Sequence, residues 1–433
     1  MEGERYVLLG LGTTRSPWFT EVARWATAGS LPAEFVKCMS VEELRVRLTS
    51  GRPFSSVLVD ARSGAVDRDL LDVASRQRVS VLVVDGTGDD RWLALGATAV
   101  LPADMTRDQL VAALGDHSRL IGAATHLPVG DAPTAADTPT AAGPLVAVTG
   151  AGGAGTSTVA MALAQALAEP AAGRAVVLAD LCLDADQAML HDARDIVPGV
   201  QELVEAHRAG RPAPAEVRGL TFEVVSRGYD LLLGLRRHRD WAVLKPRSFA
   251  AALAGLRAAY DAVVADVDAD LDGEAECGSV EVEERNVMAR TTVAQADAVV
   301  AVGTPGVKGL HALVRTVDRL RDHGVDPERI VAVVNRSARA ARGRAEMGRS
   351  FADLSGRGRA GPPVVGPVHL TERRGLDDLL RDGAPLPRGL AAPVAGAVAH
   401  VLVAVGPLPA PAGGPVPVAA GSLGRWAEQE AAG

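Results

Sequence analysis

The sequence predicts an α/β protein made of two doubly wound units with mostly parallel sheets, and three observations predict it. Short aliphatic runs alternate with helix-period patterns along most of the 433 residues, as buried parallel strands joined by helices do. Two tracts interrupt the alternation, 123–143 (AATHLPVGDAPTAADTPTAAG) and 406–421 (GPLPAPAGGPVPVAAG). Both are Ala/Pro-rich without apolar periodicity, which is linker composition. At 146–168, VAVTGAGGAGTSTVAMALAQALA runs from a strand pattern through a glycine loop straight into a helix pattern, the arrangement with which α/β sheets cradle phosphate. The expected organisation is a unit over 1–122, a linker over 123–143, a second unit over 144–405 and a Pro-rich disordered tail over 406–433.

In the first unit the elements follow as YVLLGLG (strand), WFTEVARWATA (helix), SSVLVDA (strand), DRDLLDVASRQ (helix), VSVLVVDG (strand), DRWLALGA (helix), TAVLP (strand) and DQLVAALGDHSRLI (helix). In the second, the strand PLVAVTG precedes the glycine loop and the helix STVAMALAQALA. Then come RAVVLAD (strand), GVQELVEAHRAG (helix), YDLLLGL (strand), PRSFAAALAGLRAAY (helix), the strands DAVVADV and ADAVVAVGT, GLHALVRTVDRLRDHG (helix), RIVAVVNR (strand) and a closing helix APVAGAVAHVLVAV. Ligands of such sheets bind beyond the carboxyl ends of the strands.

Composition narrows the function. Hydrophobic residues make up 48% of the chain but aromatics only 3%, so the interior is aliphatic. The net charge of −8 counts against a nucleic-acid partner. Positive charge is almost all arginine; the lysines are Lys37, Lys245 and Lys308. Cys38, Cys182 and Cys277 are odd in number and far apart, with neither a disulfide framework nor a zinc spacing. MEGERYVLLG is not a secretory signal, and the one long charge-free tract holds a helix of roughly sixteen residues, short of the ~20 that span a bilayer. A cytoplasmic protein is expected. The terminal SLGRWAEQEAAG, with Trp426, is short and acidic, so membrane association is at most indirect. Asp268, Asp270, Asp272 and Gly273 form D-x-D-x-D-G, but Ser279 at position twelve rules out a calcium loop and leaves an acidic, solvated one. Arg336, Arg339, Arg342, Arg344 and Arg349 read as an exposed helix face, with an anionic partner as the alternative.

The glycine loop fits two motifs. Gly150, Gly152 and Gly155 make G-x-G-x-x-G, the dinucleotide fingerprint, with Asp180 where a ribose-binding acid belongs. Gly150 to Ser157 also reads as a Walker phosphate loop with Thr156 in place of its lysine. An NAD(P)-linked oxidoreductase is the alternative the first motif supports. Its commonest proton-transfer pair, Tyr-x-x-x-Lys, is absent, since Gly10, Leu233 and Val264 stand four residues after the tyrosines Tyr6, Tyr229 and Tyr260. The Walker reading has Ser157 as a Mg²⁺-binding hydroxyl and Asp266, ending YDAVVAD, as the acid that holds the metal through water.

Two family resemblances follow from these stretches. The order of the first unit, with GATAVLPADMTRDQLVAAL, resembles a CheY-like response-regulator receiver, and Asp60, ending SSVLVD, falls at the phosphoacceptor position. The acidic pair of a receiver is missing from YVLLGLGTTR and its lysine is replaced around Ala103. Phosphorylation of Asp60 therefore lacks electrostatic support, and a pseudo-receiver used for docking is expected. Over 144–405, the loop, YDAVVAD, ADAVVAVGTPGVKGL and IVAVVNR resemble the ParA/MinD family of deviant Walker ATPases. With the receiver-like unit, the resemblance narrows to the CpaE/TadZ group and the septum site-determining (Ssd) proteins.

That resemblance implies ATP or ADP with Mg²⁺ as cofactors. Gly150, Gly152, Gly153, Gly155, Thr156, Ser157 and Thr158 would bind phosphate, Asn335 and Arg336 would lie at the adenine pocket, and Ser157, Asp180 and Asp266 would serve the metal. It further implies a homodimer with nucleotide at its interface, and a partner in the cell-division or the Flp-pilus and secretion-ATPase machinery, with recruitment to pole or septum. Two departures bear on catalysis. The family's loop lysines are replaced by Ala151 and Thr156, and each such cationic contact is worth ~2–4 kcal/mol in a transition state. The second carboxylate of the family's Asp-x-Asp is Cys182, leaving Asp184 or Asp186 to act on water. Weak or absent hydrolysis is expected. A DNA-partitioning ParA ATPase is the third reading.

Overall fold

The computed structural model describes residues 5–12, 16–87, 90–121, 142–169, 173–193, 195–356, 364 and 366–405. Most of the 123–143 tract and all of 406–433, with Trp426, lie outside the described residues. The chain divides into two compact units, with the division falling in the 122–141 stretch.

The first unit holds strands β1 (Tyr6–Leu11), β2 (Ala33–Cys38), β3 (Ser56–Asp60), β4 (Ser80–Val84) and β5 (Ala99–Leu101). They form a parallel sheet of order β2-β1-β3-β4-β5, the doubly wound order of flavodoxin-like folds. Every residue of β3 is buried, as expected of a strand covered on both faces, and separate aliphatic clusters fill the two sides. Strand β2 and the helix Val41–Leu48 are additions to the elements read from sequence. β2 is an edge strand, mostly half-buried, with Glu34 and Lys37 breaking its apolar run. The helix buries only Leu44 and Leu48.

The second unit holds β6 (Leu145–Gly150), β7 (Val176–Leu181), β8 (Phe222–Val224), β9 (Tyr229–Leu232), β10 (Ala262–Val267), β11 (Ala298–Gly303), β12 (Ile330–Ser337) and β13 (Val368–Thr371). The sheet order is β13-β12-β11-β6-β10-β7-β9-β8, parallel except for β8 against β9. Strands β7, β10 and β11 are buried throughout. One face is covered by helices including Val200–Ala209, Pro246–Ala259 and Val307–Asp322, the other by Thr156–Leu167 and Arg388–Val405. The closing helix thus starts about one turn before APVAGAV and carries Pro393 inside it.

Two expectations are corrected. In the dinucleotide fold the strand after the glycine-loop helix lies beside the first strand; here β10 separates β7 from β6. Asp180 therefore stands one strand away from the place a ribose-binding acid occupies, and the fingerprint reading of Gly150, Gly152 and Gly155 fails on topology. The D-x-D-x-D-G stretch is not a solvated loop: Asp268 is half-buried and accepts from Leu183 N at 2.7 Å, while its carbonyl accepts from Thr149 Oγ1 at 3.0 Å. It ties the end of β6 and the loop that follows β7 to the segment that follows β10.

Candidate functional site

The glycine loop leaves the carboxyl end of β6, which lies between β10 and β11 in the middle of the sheet. Connections depart to both sides of such a strand, opening a crevice for ligand. Two glycines are needed for space. A Cβ on Gly150 would lie 2.4 Å from Val302 O, and one on Gly155 would lie 2.4 Å from Asn335 Nδ2. Gly153 and Gly155 also take φ of 78° and 84°, the left-handed region where other residues are strained. A Cβ on Gly152 would meet no protein atom within 4 Å, so packing within the protein does not require this glycine. Ala154 N closes the loop on Ala151 O at 3.0 Å. Gly155 then caps the helix Thr156–Leu167, whose first N–H groups and dipole are directed at any anion in the loop.

Asn335 props this loop from β12. It is 7% exposed, its Nδ2 donates to Ala154 O at 2.9 Å, and its Oδ1 accepts from Arg336 N at 2.9 Å. The residue expected at an adenine pocket is thus in contact with the phosphate loop. Arg336 is exposed in a left-handed conformation, φ 54°, where β12 and β13 slip register. Arg342, Arg344 and Arg349 lie on the helix Ala341–Ser355, which buries only Phe351 and Ser355.

A cleft of about 410 Å³ is lined by Ala151 to Ala154, by Gly303 to Gly309 and by Ala312. It is large enough for a small-molecule ligand. Lys308, one of the three lysines, is exposed on its wall. No local pattern marks Lys308 as part of the site, because it lies more than 150 positions from the loop and only the pairing of β11 with β6 brings the two together.

Below the loop lies an acidic cluster. Asp180 and Asp266 are register partners on β7 and β10, 1% and 2% exposed. With Cys182 they place three potential ligand atoms within 4.8 Å of one another. Asp180 accepts from Gln187 N at 2.9 Å and Cys182 N at 3.4 Å. Asp266 Oδ2 accepts from Gln187 Nε2 at 2.8 Å, and the same amide reaches Ser157 O at 3.4 Å. Asp266 Oδ1 has no hydrogen-bond partner, nor has Gln187 Oε1. Burial, and then the charge of Asp266, hold the Asp180 carboxyl well above the usual range. Burial pushes Asp266 up to about 6, opposed by the bond from the Gln187 amide, and burial followed by the nearby carboxylates raises the Cys182 thiol. Asp184 turns outward, its side chain 85% exposed against His238 Nδ1 at 3.1 Å. Asp186 is exposed before the short helix Gln187–Leu190.

The loop fits a phosphate-bearing ligand, since its backbone N–H groups and helix start supply the donors. Magnesium fits the cluster poorly: it demands an octahedron of oxygens, whereas the third group within 4.8 Å of the two carboxylates is a thiol.

In the first unit, Asp60 is 1% exposed and fully engaged. It accepts from Ser16 Oγ, from Trp18 Nε1 at 3.2 Å, and from Arg62 through its backbone N at 2.9 Å and its guanidinium at 3.2 Å. Burial by itself would raise this carboxyl, but the bonds from Arg62, Ser16 and Trp18 outweigh it and hold it below its ordinary value.

No protein-family model matches the chain, and no curated protein does. Among solved structures it is similar to a ParA family ATPase from Chlorobium tepidum, at 16% identity over 60% of this chain and 99% of that one, TM-score 0.46. It is also similar to the septum site-determining protein MinD from Pyrococcus horikoshii, complexed with Mg-ADP, at 18% identity over 61% and 97%, TM-score 0.44. The MinC:MinD cell division protein complex of Aquifex aeolicus matches at 18% identity over 63% and 100%, TM-score 0.41. Among the described residues no helix is long and apolar enough to cross a membrane.

Proposed function

We propose that this chain is a nucleotide-binding positioning or regulatory protein of the CpaE/TadZ and septum site-determining kind, in which nucleotide binding rather than turnover is the working step. The observation that carries this reading is the glycine loop on the central strand β6, with the Asp-bearing β10 beside it. That order belongs to phosphate-loop folds and not to dinucleotide folds. ATP or ADP supplies the phosphates; Gly150 to Thr158 present backbone donors to them, Asn335 holds the loop in shape and Lys308 adds a positive charge from the cleft wall.

Hydrolysis is slow in this reading. Ala151 and Thr156 offer no cation, Cys182 stands where a water-activating carboxylate would, and Asp184 faces solvent. A pair of chains closing over nucleotide is the natural output of such a site. The cage around Asp60 supports a first unit that docks a partner of the division or pilus machinery without accepting phosphate.

The test is calorimetric titration of the full chain with ATP, ADP and NAD(H), with and without Mg²⁺. Binding of adenosine nucleotides with little phosphate release is expected. Tight NAD(H) binding with none of ATP would overturn the reading.

A further inference from the structure

We infer that Asp180, Cys182 and Asp266 form a binding site for a soft divalent cation of the zinc class, held directly by two carboxylates and a thiolate. The site lies under the phosphate loop and does not depend on nucleotide. Three observations converge on it. The three ligand atoms lie within 4.8 Å of one another. A tetrahedral zinc, with Zn–S about 2.3 Å and Zn–O about 2.1 Å, sets its ligands about 3.5 Å apart, so the triad closes on it with shifts of about 1 Å. Second, Asp266 Oδ1 is buried without a hydrogen-bond partner, an expensive state for a carboxylate oxygen that a cation relieves. Third, the remaining oxygens are held by backbone and amide donors, from Gln187 N, Cys182 N and Gln187 Nε2. Such second-layer bonds orient ligating carboxylates.

The donor set decides which cation. Thiolate ligands select zinc-like metals over magnesium, and the two carboxylates are compatible with either. Three protein ligands leave a fourth position for water or a ligand oxygen, the pattern of an open zinc site. On binding, the Cys182 thiol and whichever carboxyl of the Asp180–Asp266 pair is protonated release their protons to solvent, and the sulfur and carboxylate oxygens form the metal bonds; no electron changes hands. Gln187, which touches both Asp266 and Ser157 O, connects the site to the start of the loop helix.

The experiment uses the full chain, reduced and stripped with chelator, and the metal alone. Titration with Co²⁺ is expected to give one equivalent bound, with a thiolate-to-cobalt charge-transfer band that Zn²⁺ displaces and a large excess of Mg²⁺ does not. Cys182→Ser is expected to abolish the band, whereas Cys277→Ser, which alters an exposed thiol, keeps it. Removing a direct ligand costs a metal site more than losing a second-layer partner, which is worth about 10–100-fold, so Asp266→Asn should weaken Zn²⁺ binding at least about tenfold. Cys182→Asp, which keeps three ligands, is expected to bind metal without the band and to lose preference for Zn²⁺ over Mg²⁺. A wild-type chain with no band, a band that survives Cys182→Ser, or competition by Mg²⁺ at concentrations comparable to Zn²⁺ would each overturn the proposal. None of these outcomes bears on nucleotide binding, which the calorimetry reads separately.

Discussion

Asp180 and Asp266 face each other in register on adjacent parallel strands, both almost completely buried. Two carboxyl groups this close and this dry destabilise each other's ionised form. Asp266 has an oxygen without a donor, so replacing it with asparagine removes a charge that the surroundings balance only in part. Asp266→Asn is expected to stabilise the metal-free protein by about 1–2 kcal/mol, since a neutral isostere avoids part of the cost of a buried, incompletely paired charge. Urea midpoints in chelator at neutral pH measure this. An unchanged or lowered midpoint would contradict the account of the pair.

The phosphate loop depends on Gly155 and Asn335 together. An alanine at 155 needs a left-handed φ of 84° and space that Asn335 Nδ2 fills at 2.4 Å. Gly155→Ala is expected to cost about 1–3 kcal/mol in stability and to abolish nucleotide binding. Asn335→Ala leaves the Ala154 carbonyl without its donor, a loss of about 1–3 kcal/mol when the group stays buried, and loosens the loop without blocking it. Weaker but measurable ATP binding by the second variant, against none by the first, is the expected calorimetric result.

Lys308 on the wall of the cleft is the positive charge best placed to answer the missing loop lysines. A charge-assisted contact to phosphate is worth roughly 1.5–3 kcal/mol. Lys308→Ala should therefore weaken ATP binding by roughly tenfold or more, with a smaller effect on AMP and a loss of salt dependence. Equal affinities for wild type and variant would place the phosphates elsewhere.

Asp60 bears on the first unit. Its carboxyl is held below its ordinary value by Arg62, Ser16 and Trp18, so the folded state keeps it ionised to lower pH than the unfolded chain does. Its contribution is in place above the unfolded value of about 4 and is lost as pH falls through that range. Asp60→Asn should lower stability at neutral pH and flatten the acid limb of the stability curve. Incubation of wild type with a small phosphoryl donor should yield no acid-stable adduct at Asp60, and detection of one by mass spectrometry would refute the docking role.

The strand ends were legible in sequence because a doubly wound sheet leaves a strong local trace. Solid aliphatic runs ended by Asp60, Gly150, Asp180 and Asp266 predict strands, and all four residues close or nearly close a strand. The weak elements were not legible. β2, β8 and β13 are edge strands or next to edges, short or half-buried, so their apolar pattern is thin. Strand order was the other gap. That β10 lies between β6 and β7 brings Cys182 to Asp266 and removes the dinucleotide reading, and no local pattern encodes it. Cysteine spacing along the chain argued against a metal site for the same reason, since the ligands meet across strands.

His191 gives the last prediction. Its Nδ1 lies 2.7 Å from Gln187 O, and its Nε2 lies 2.7 Å from the Tyr229 hydroxyl. A carbonyl only accepts, so Nδ1 carries the hydrogen and Nε2 accepts from Tyr229. Burial, partly offset by the bond to Gln187, lowers its pKa to about 4. An unfolded histidine takes its proton near pH 6.5. Between these values the unfolded chain gains a proton that the folded chain does not, so stability falls as pH drops from about 6.5 toward 4, by at most about 3 kcal/mol. His191→Gln removes that titration, and its stability between pH 6.5 and 4.5 should decline less steeply than that of wild type. Parallel curves for the two proteins across this window would show that another group governs the acid response of the second unit.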